Sequence, residues 1–119
     1  MNKETAKKFT DLIVWQKAHH FVLAIYHLSA KYPPKEIYSL VSQIRRSAVS
    51  IPANIAEGFK KRGKADKLRY MNIAQGSLEE CRYYLILSKD LGYADTDKLQ
   101  IKIDEIAKIL AGYSQAIIN

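Results

Sequence analysis

Apolar residues recur along this chain every three to four positions, the spacing that lines one face of an α-helix. The first such stretch carries Leu12, Trp15, His19, Val22, Tyr26 and Ser29 on one stripe and Val14, Ala18, Phe21, Ile25 and Leu28 on its neighbour. Thr10 or Asp11 can cap its start, and Tyr32-Pro33-Pro34 ends it, because proline cannot continue the backbone ladder. A second helix is predicted from about Lys35-Glu36, with Ile37, Leu40, Val41, Ile44, Ala48, Ile51 and Ile55 as its core stripe. Pro52 lies inside that stripe. The apolar register continues through it, which predicts a kink near Ala48 to Pro52 over the alternative, a new helix opening with Pro52. Gly63 is the expected C-terminal cap. A third helix runs from Lys64 to about Leu91, with Ile73, Ala74, Ser77, Cys81, Tyr84, Leu85 and Ser88 facing one way and Leu68, Met71, Leu78 and Leu87 broadening that face. A fourth, capped by Asp95 or Thr96, repeats Leu99, Ile103, Ile106, Leu110, Tyr113 and Ile117. No segment alternates as a half-buried strand would.

Four helices with short links imply an all-α, antiparallel up-and-down four-helix bundle. The 119 residues make a single domain, 1–119, with a polar start at 1–9 that is expected to fray. The longer helices carry more apolar surface than one bundle core needs, which predicts self-association. No apolar run approaches the ~20 residues of a membrane span, and the start lacks a signal-peptide pattern, so a cytoplasmic protein is expected. Cys81 is the only cysteine and has no intrachain partner.

The polar residues of helix two form their own stripe: Gln43, Ser47, Ser50, Asn54 and Glu57, with Arg46 adjacent. Folding helix three back about Arg62-Gly63 makes facing residue numbers sum to roughly 126 by helix geometry. Glu57 then faces Arg69, Arg46 faces Glu79 and Glu80, and Ser50 faces Gly76 and Ser77, a small pair that would let the helices approach closely. The favoured reading is a structural polar seam, in which paired charges set register. The competing reading is an acid pair for hydrolysis, Glu57 with Glu79 or Glu80. It is disfavoured because each acid has a basic neighbour and no nucleophile or metal set accompanies them. His19, His20 and His27 share one helix, but a metal needs three or four ligands. Gly58 to Lys64 lacks the preceding strand and Ser/Thr of a phosphate loop. No metal, cofactor or enzymatic activity is expected.

Charge changes the picture. The chain is +7, and residues 60–70 hold Lys60, Lys61, Arg62, Lys64, Lys67 and Arg69 against Asp66 alone. So dense a basic segment suits a polyanion. These six side chains, with Arg45 added to them, are the candidate phosphate ligands for RNA, DNA or a nucleoprotein. A protein-interaction scaffold with a merely solubilising basic turn is the alternative.

The runs DLIVWQKA, IYHLSAKYP, EIYSLVSQIRRSAVSIPANIAEGF, YMNIAQGSLEE and LGY, in that order, resemble the bacterial four-helix-bundle proteins encoded in intervening sequences of 23S ribosomal RNA genes. The resemblance spans about residues 9 to 93, and the last helix matches only in type. It implies a pentameric up-and-down bundle without established enzymatic activity. It also points to a related basic pentamer, the accessory variability protein of diversity-generating retroelements, which works with a reverse transcriptase and nucleic acid. By that likeness Gln43, Arg46, Asn54, Glu57, Gly58, Gly76, Ser77 and Glu80 would be signature positions.

Overall fold

A computed structural model describes residues 6–119. Four helices carry the fold: α1 (Ile13–Ser29), α2 (Leu40–Lys60), α3 (Lys64–Asp90) and α4 (Asp97–Ile118). Each packs against its sequence neighbour, and α1 closes the ring against α4. With no strand among the described residues, this is the up-and-down bundle that the stripes predict. The molecule measures 44 × 23 × 19 Å, its length set by the 27 residues of α3.

The core is the predicted set of faces meeting in the middle. Ile25, Ile44, Ile51, Ile55, Leu78, Leu85, Ile103 and Leu110 are fully buried. Ile73 departs from expectation and stays 42% exposed. The buried stripe of α3 runs through Met71, Ala74, Leu78, Cys81, Leu85 and Ser88, so Met71 and Leu78, expected to broaden the face, belong to its buried line.

The connections differ from the sequence reading at three places. Before α1, Phe9–Asp11 forms a 3₁₀ turn, and Phe9 packs edge-on to Trp15 at 5.2 Å. The Asp11 carboxylate accepts from the amides of Lys7 (3.0 Å) and Lys8 (3.1 Å), which hold it below the usual carboxylate range. The rest of the segment expected to fray, residues 1–5, lies outside the described residues. Between α1 and α2, Pro34–Glu36 forms a second 3₁₀ turn, so α2 starts at Leu40, later than Lys35-Glu36. There the Glu36 carboxylate accepts from Ser39 Oγ (2.5 Å) and Tyr93 Oη (2.7 Å), tying this loop to the end of α3. At the far end, Gly63 does not cap α2. Lys61 ends that helix in extended backbone, and Gly63, with φ −82°, precedes α3.

Pro52 is buried inside α2, which continues from Leu40 to Lys60. The new-helix alternative therefore fails. The close approach of α2 and α3 also lies elsewhere than expected. Gly76 is exposed, with open space where a Cβ would sit. At Gly58 a Cβ would fall 2.5 Å from Met71 Cε and 2.8 Å from Tyr70 Cβ. Gly58 is thus the residue whose missing side chain lets the two longest-packed helices meet.

Candidate nucleic-acid interface and the polar seam

The α2–α3 seam has the predicted register but different chemistry. Ser77 Oγ donates to Ser50 Oγ at 2.7 Å, and Asn54 Nδ2 donates to the Ser50 carbonyl (2.8 Å) and hydroxyl (2.9 Å). Ser47 Oγ bonds the Glu80 carboxylate and lies 3.0 Å from the Gln43 carbonyl. Hydroxyls and one carboxylate thus bridge the helices, with the Asn54 amide bracing Ser50 from within α2; the arginines do not bridge them.

Each expected cross-helix ion pair is replaced. Among the described residues Arg46 pairs with neither Glu79 nor Glu80. Glu79 turns to Arg82, 3.2 Å away, which also binds Asp104 of α4. Glu57 reaches Lys61 at 3.7 Å, and Arg69 lies 3.9 Å from Asp66. The physical reason is locality. A partner one turn away on the same helix can be met on an exposed flank, without drawing a long side chain across the seam. Nor do Glu57 and Glu80 form an acid pair. The Ser47–Glu80 bond places Glu80 about 15 Å along α2 from Glu57, beyond the ~9.5 Å over which paired carboxylates cooperate in glycoside hydrolysis.

The basic segment divides into side chains with work at helix ends and side chains without. Lys67 Nζ donates to the carbonyls of Phe59 (2.7 Å) and Gly58 (3.5 Å), the unsatisfied C-terminal end of α2, and burial pushes its pKa down. Lys64 Nζ is 3.4 Å from the Ile118 carbonyl, at the end of α4. Lys61 and Arg69 flank the Tyr70 ring at 5.2 and 4.6 Å. Lys60 and Arg62 are exposed and make no ion pair or hydrogen bond among the described residues. Arg62, Lys64 and Lys67 line a 360 Å³ depression with Phe59 and Tyr113.

Arg45 does not join them. It sits about 22 Å up α2 from Lys60, where its Nε donates to Ser29 Oγ (2.8 Å) and Nη2 to the Tyr26 carbonyl (3.3 Å), with the guanidinium 4.6 Å over the Tyr26 ring. It caps the C-terminus of α1. Two lysines missed from sequence belong at the basic end. Phe9 shares an apolar groove with Pro52, Ala53 and Ala56, so exposed Lys7 and Lys8 lie beside the last turns of α2. Up-and-down topology was the signal for them, since it returns the chain's start to the α2–α3 turn.

Among the described residues no three His, Cys, Asp or Glu side chains gather for a metal. The Cys81 thiol is buried and pushed up to about 12, which leaves it unreactive. No helix among the described residues is long and apolar enough to cross a membrane.

Among curated proteins none matches the chain. A solved structure from Bacteroides thetaiotaomicron, described as a protein with unknown function from the S23 ribosomal protein family, is similar to it. The TM-score is 0.79 at 27% identity, over 87% of this chain and 96% of that one. The profile of the family described as 23S rRNA-intervening sequence protein matches residues 10–112. With that match spanning all four helices, the chain belongs to the 23S rRNA-intervening sequence protein family.

Proposed function

We propose that the protein is a non-enzymatic, self-associating bundle that binds RNA or DNA, alone or within a nucleoprotein, with low sequence specificity. The carrying observation is that Lys60 and Arg62 are exposed at the bundle end with no carboxylate engaging them among the described residues. Lys64, Lys7 and Lys8 lie at the same end and extend the positive surface. Phosphates are the groups such a surface suits, and contacts of this kind carry no sequence information. Lys67, Arg69 and Arg45 contribute less than their charge suggests, because each already has a partner.

Self-association is supported by apolar side chains left outside the core, including Ile73, Tyr83, Ile86, Ile101 and Ile118, each at least 41% exposed. The pentamer implied by the resemblance is the favoured state, and a ring of copies would multiply the basic end through avidity. The same apolar surface favours the second reading, a protein-interaction scaffold. The cytoplasm is the proposed setting, consistent with a lone buried thiol.

Titration of labelled structured RNA and duplex DNA across a salt series tests the proposal, beside a variant with Lys60, Lys61 and Arg62 changed to Ser. Tight binding with a steep salt slope is expected, and the variant should flatten that slope by about two to three units. Absence of binding at low salt, or an unchanged slope in a folded variant, would overturn it in favour of the scaffold.

A further inference from the structure

A wide cleft lies far from the basic turn. It is a 730 Å³ groove on the outer side of α1 and α2, at the end where Arg45 caps α1. Its volume falls within the ~300–1,000 Å³ of ligand clefts. Tyr26, Ile37, Tyr38 and Val49 line it, and among the described residues Arg45 and Arg46 are the only charged groups in its wall, with no carboxylate. Arg46 has no ion-pair partner among the described residues. Tyr38 is 95% exposed, which leaves both ring faces in water.

The backbone beneath that ring is held. Tyr38 stands between two fixed points: the Pro34–Glu36 turn before it, and Ser39, which bonds Glu36 while Glu36 also accepts from Tyr93. An unpaired aromatic ring in the same groove as an unpartnered guanidinium offers a base a stacking face and its phosphate a counter-charge. Little backbone entropy would remain to be lost on binding. A second copy of the chain would also cover apolar surface, but a wall whose only charges are arginines favours a polyanion with flat apolar faces.

We propose that this groove binds unpaired nucleotides of single-stranded nucleic acid, with Tyr38 as the stacking platform and Arg46 as the phosphate contact. This rests on the nucleic-acid reading above and adds a site whose Arg46 lies about 20 Å and whose Tyr38 lies about 30 Å from the basic turn, one that would make the protein prefer single strands to duplex. The test compares a labelled unstructured oligouridylate with a duplex of equal length, using the full chain. Tyr38→Ala should weaken single-strand binding about tenfold and leave duplex binding unchanged, and Tyr38→Phe should restore it. Arg46→Ser should lower the single-strand salt slope by about 0.7. Because Tyr38 touches so little, melting curves of its variants should match wild type. Single-strand binding intact in Tyr38→Ala but lost in the Lys60, Lys61, Arg62 triple variant would overturn the groove and leave the basic turn standing. Failure of wild type to bind either probe would overturn both. A shift of Tyr38→Ala to a smaller species in sedimentation, with binding unchanged, would assign the groove to a second copy and overturn the proposal.

Discussion

Gly58→Ala should destabilise the bundle, against the ordinary effect of replacing a helical glycine. In a helix interior, Gly to Ala gains about 1 kcal/mol from backbone entropy alone. At Gly58 the added methyl would sit 2.5 Å from Met71 Cε and 2.8 Å from Tyr70 Cβ. Met71 could swing its terminal methyl, but it is 1% exposed and has little room. Tyr70 Cβ is fixed to the backbone of α3, so relief there requires the two helices to part. Overpacking of this kind costs about 1–3 kcal/mol, and the rigid second contact puts the cost at the upper end. The net loss is then about 1–2 kcal/mol, or roughly 4–10 °C in melting temperature for a domain of this size. Gly76→Ala and Gly112→Ala are the matched controls. Neither Cβ would meet anything within 4 Å, so each should gain up to about 1 kcal/mol. Thermal melts by circular dichroism decide the matter. A higher melting temperature for Gly58→Ala would refute the close approach of α2 and α3.

Arg45→Ala should cost about 1–2 kcal/mol, since buried Ser29 and the end of α1 lose a charged donor; duplex binding should not change, and a weakened duplex complex would return Arg45 to the phosphate set. Glu57→Ala should leave the melting temperature within about 2 °C, because its carboxylate is exposed and among the described residues meets only Lys61; a large drop in melting temperature would refute this. The Glu36 carboxyl is held below its ordinary value near 4.5, first by Ser39 and then by Tyr93. Its stabilisation is full above that value and is lost as pH falls through the lower folded-state value. Tyr93→Phe should therefore make the acid-side decline in melting temperature shallower, and parallel declines would refute the linkage.

Periodicity made the architecture readable because burial on one helix face leaves a repeating mark in the sequence. The α2 stripe of Ile44, Ala48, Ile51 and Ile55 is buried to the last atom. Once the turn was located, facing positions followed by counting, and Ser50 meets Ser77 as that count requires. Rotation of α3 was less legible. Its cysteine, tyrosines and serines mark two adjacent stripes about equally well, so the pattern turns both Ile73 and Met71 inward, and only Met71 is buried. The close approach went to Gly76 because two small residues stood together there. Size alone does not report which side of the helix a residue occupies, and Gly58 was the one facing α3.

The charged residues were hardest to read, and the reason bears on function. A lysine counts as one positive charge wherever it stands, but at a bundle end it can be drawn to the carbonyls of a helix's last turn, the negative end of its dipole. The α2–α3 turn lies beside two such ends, those of α2 and α4, and Lys67 and Lys64 serve them. Arg45 does the same for α1 at the opposite end. Of the seven side chains that charge density nominated, only Lys60 and Arg62 lack a partner among the described residues. The phosphate valence of one chain is therefore nearer two or three than seven, unless Lys7 and Lys8 add to it. So low a valence gives weak binding to a single copy. The basic end can hold a polyanion firmly only when several copies present it together, so on this reading binding by the basic turn depends on self-association. A monomeric variant that stays folded should lose most of its affinity for duplex at moderate salt. Undiminished binding by such a monomer would show that one chain's valence suffices.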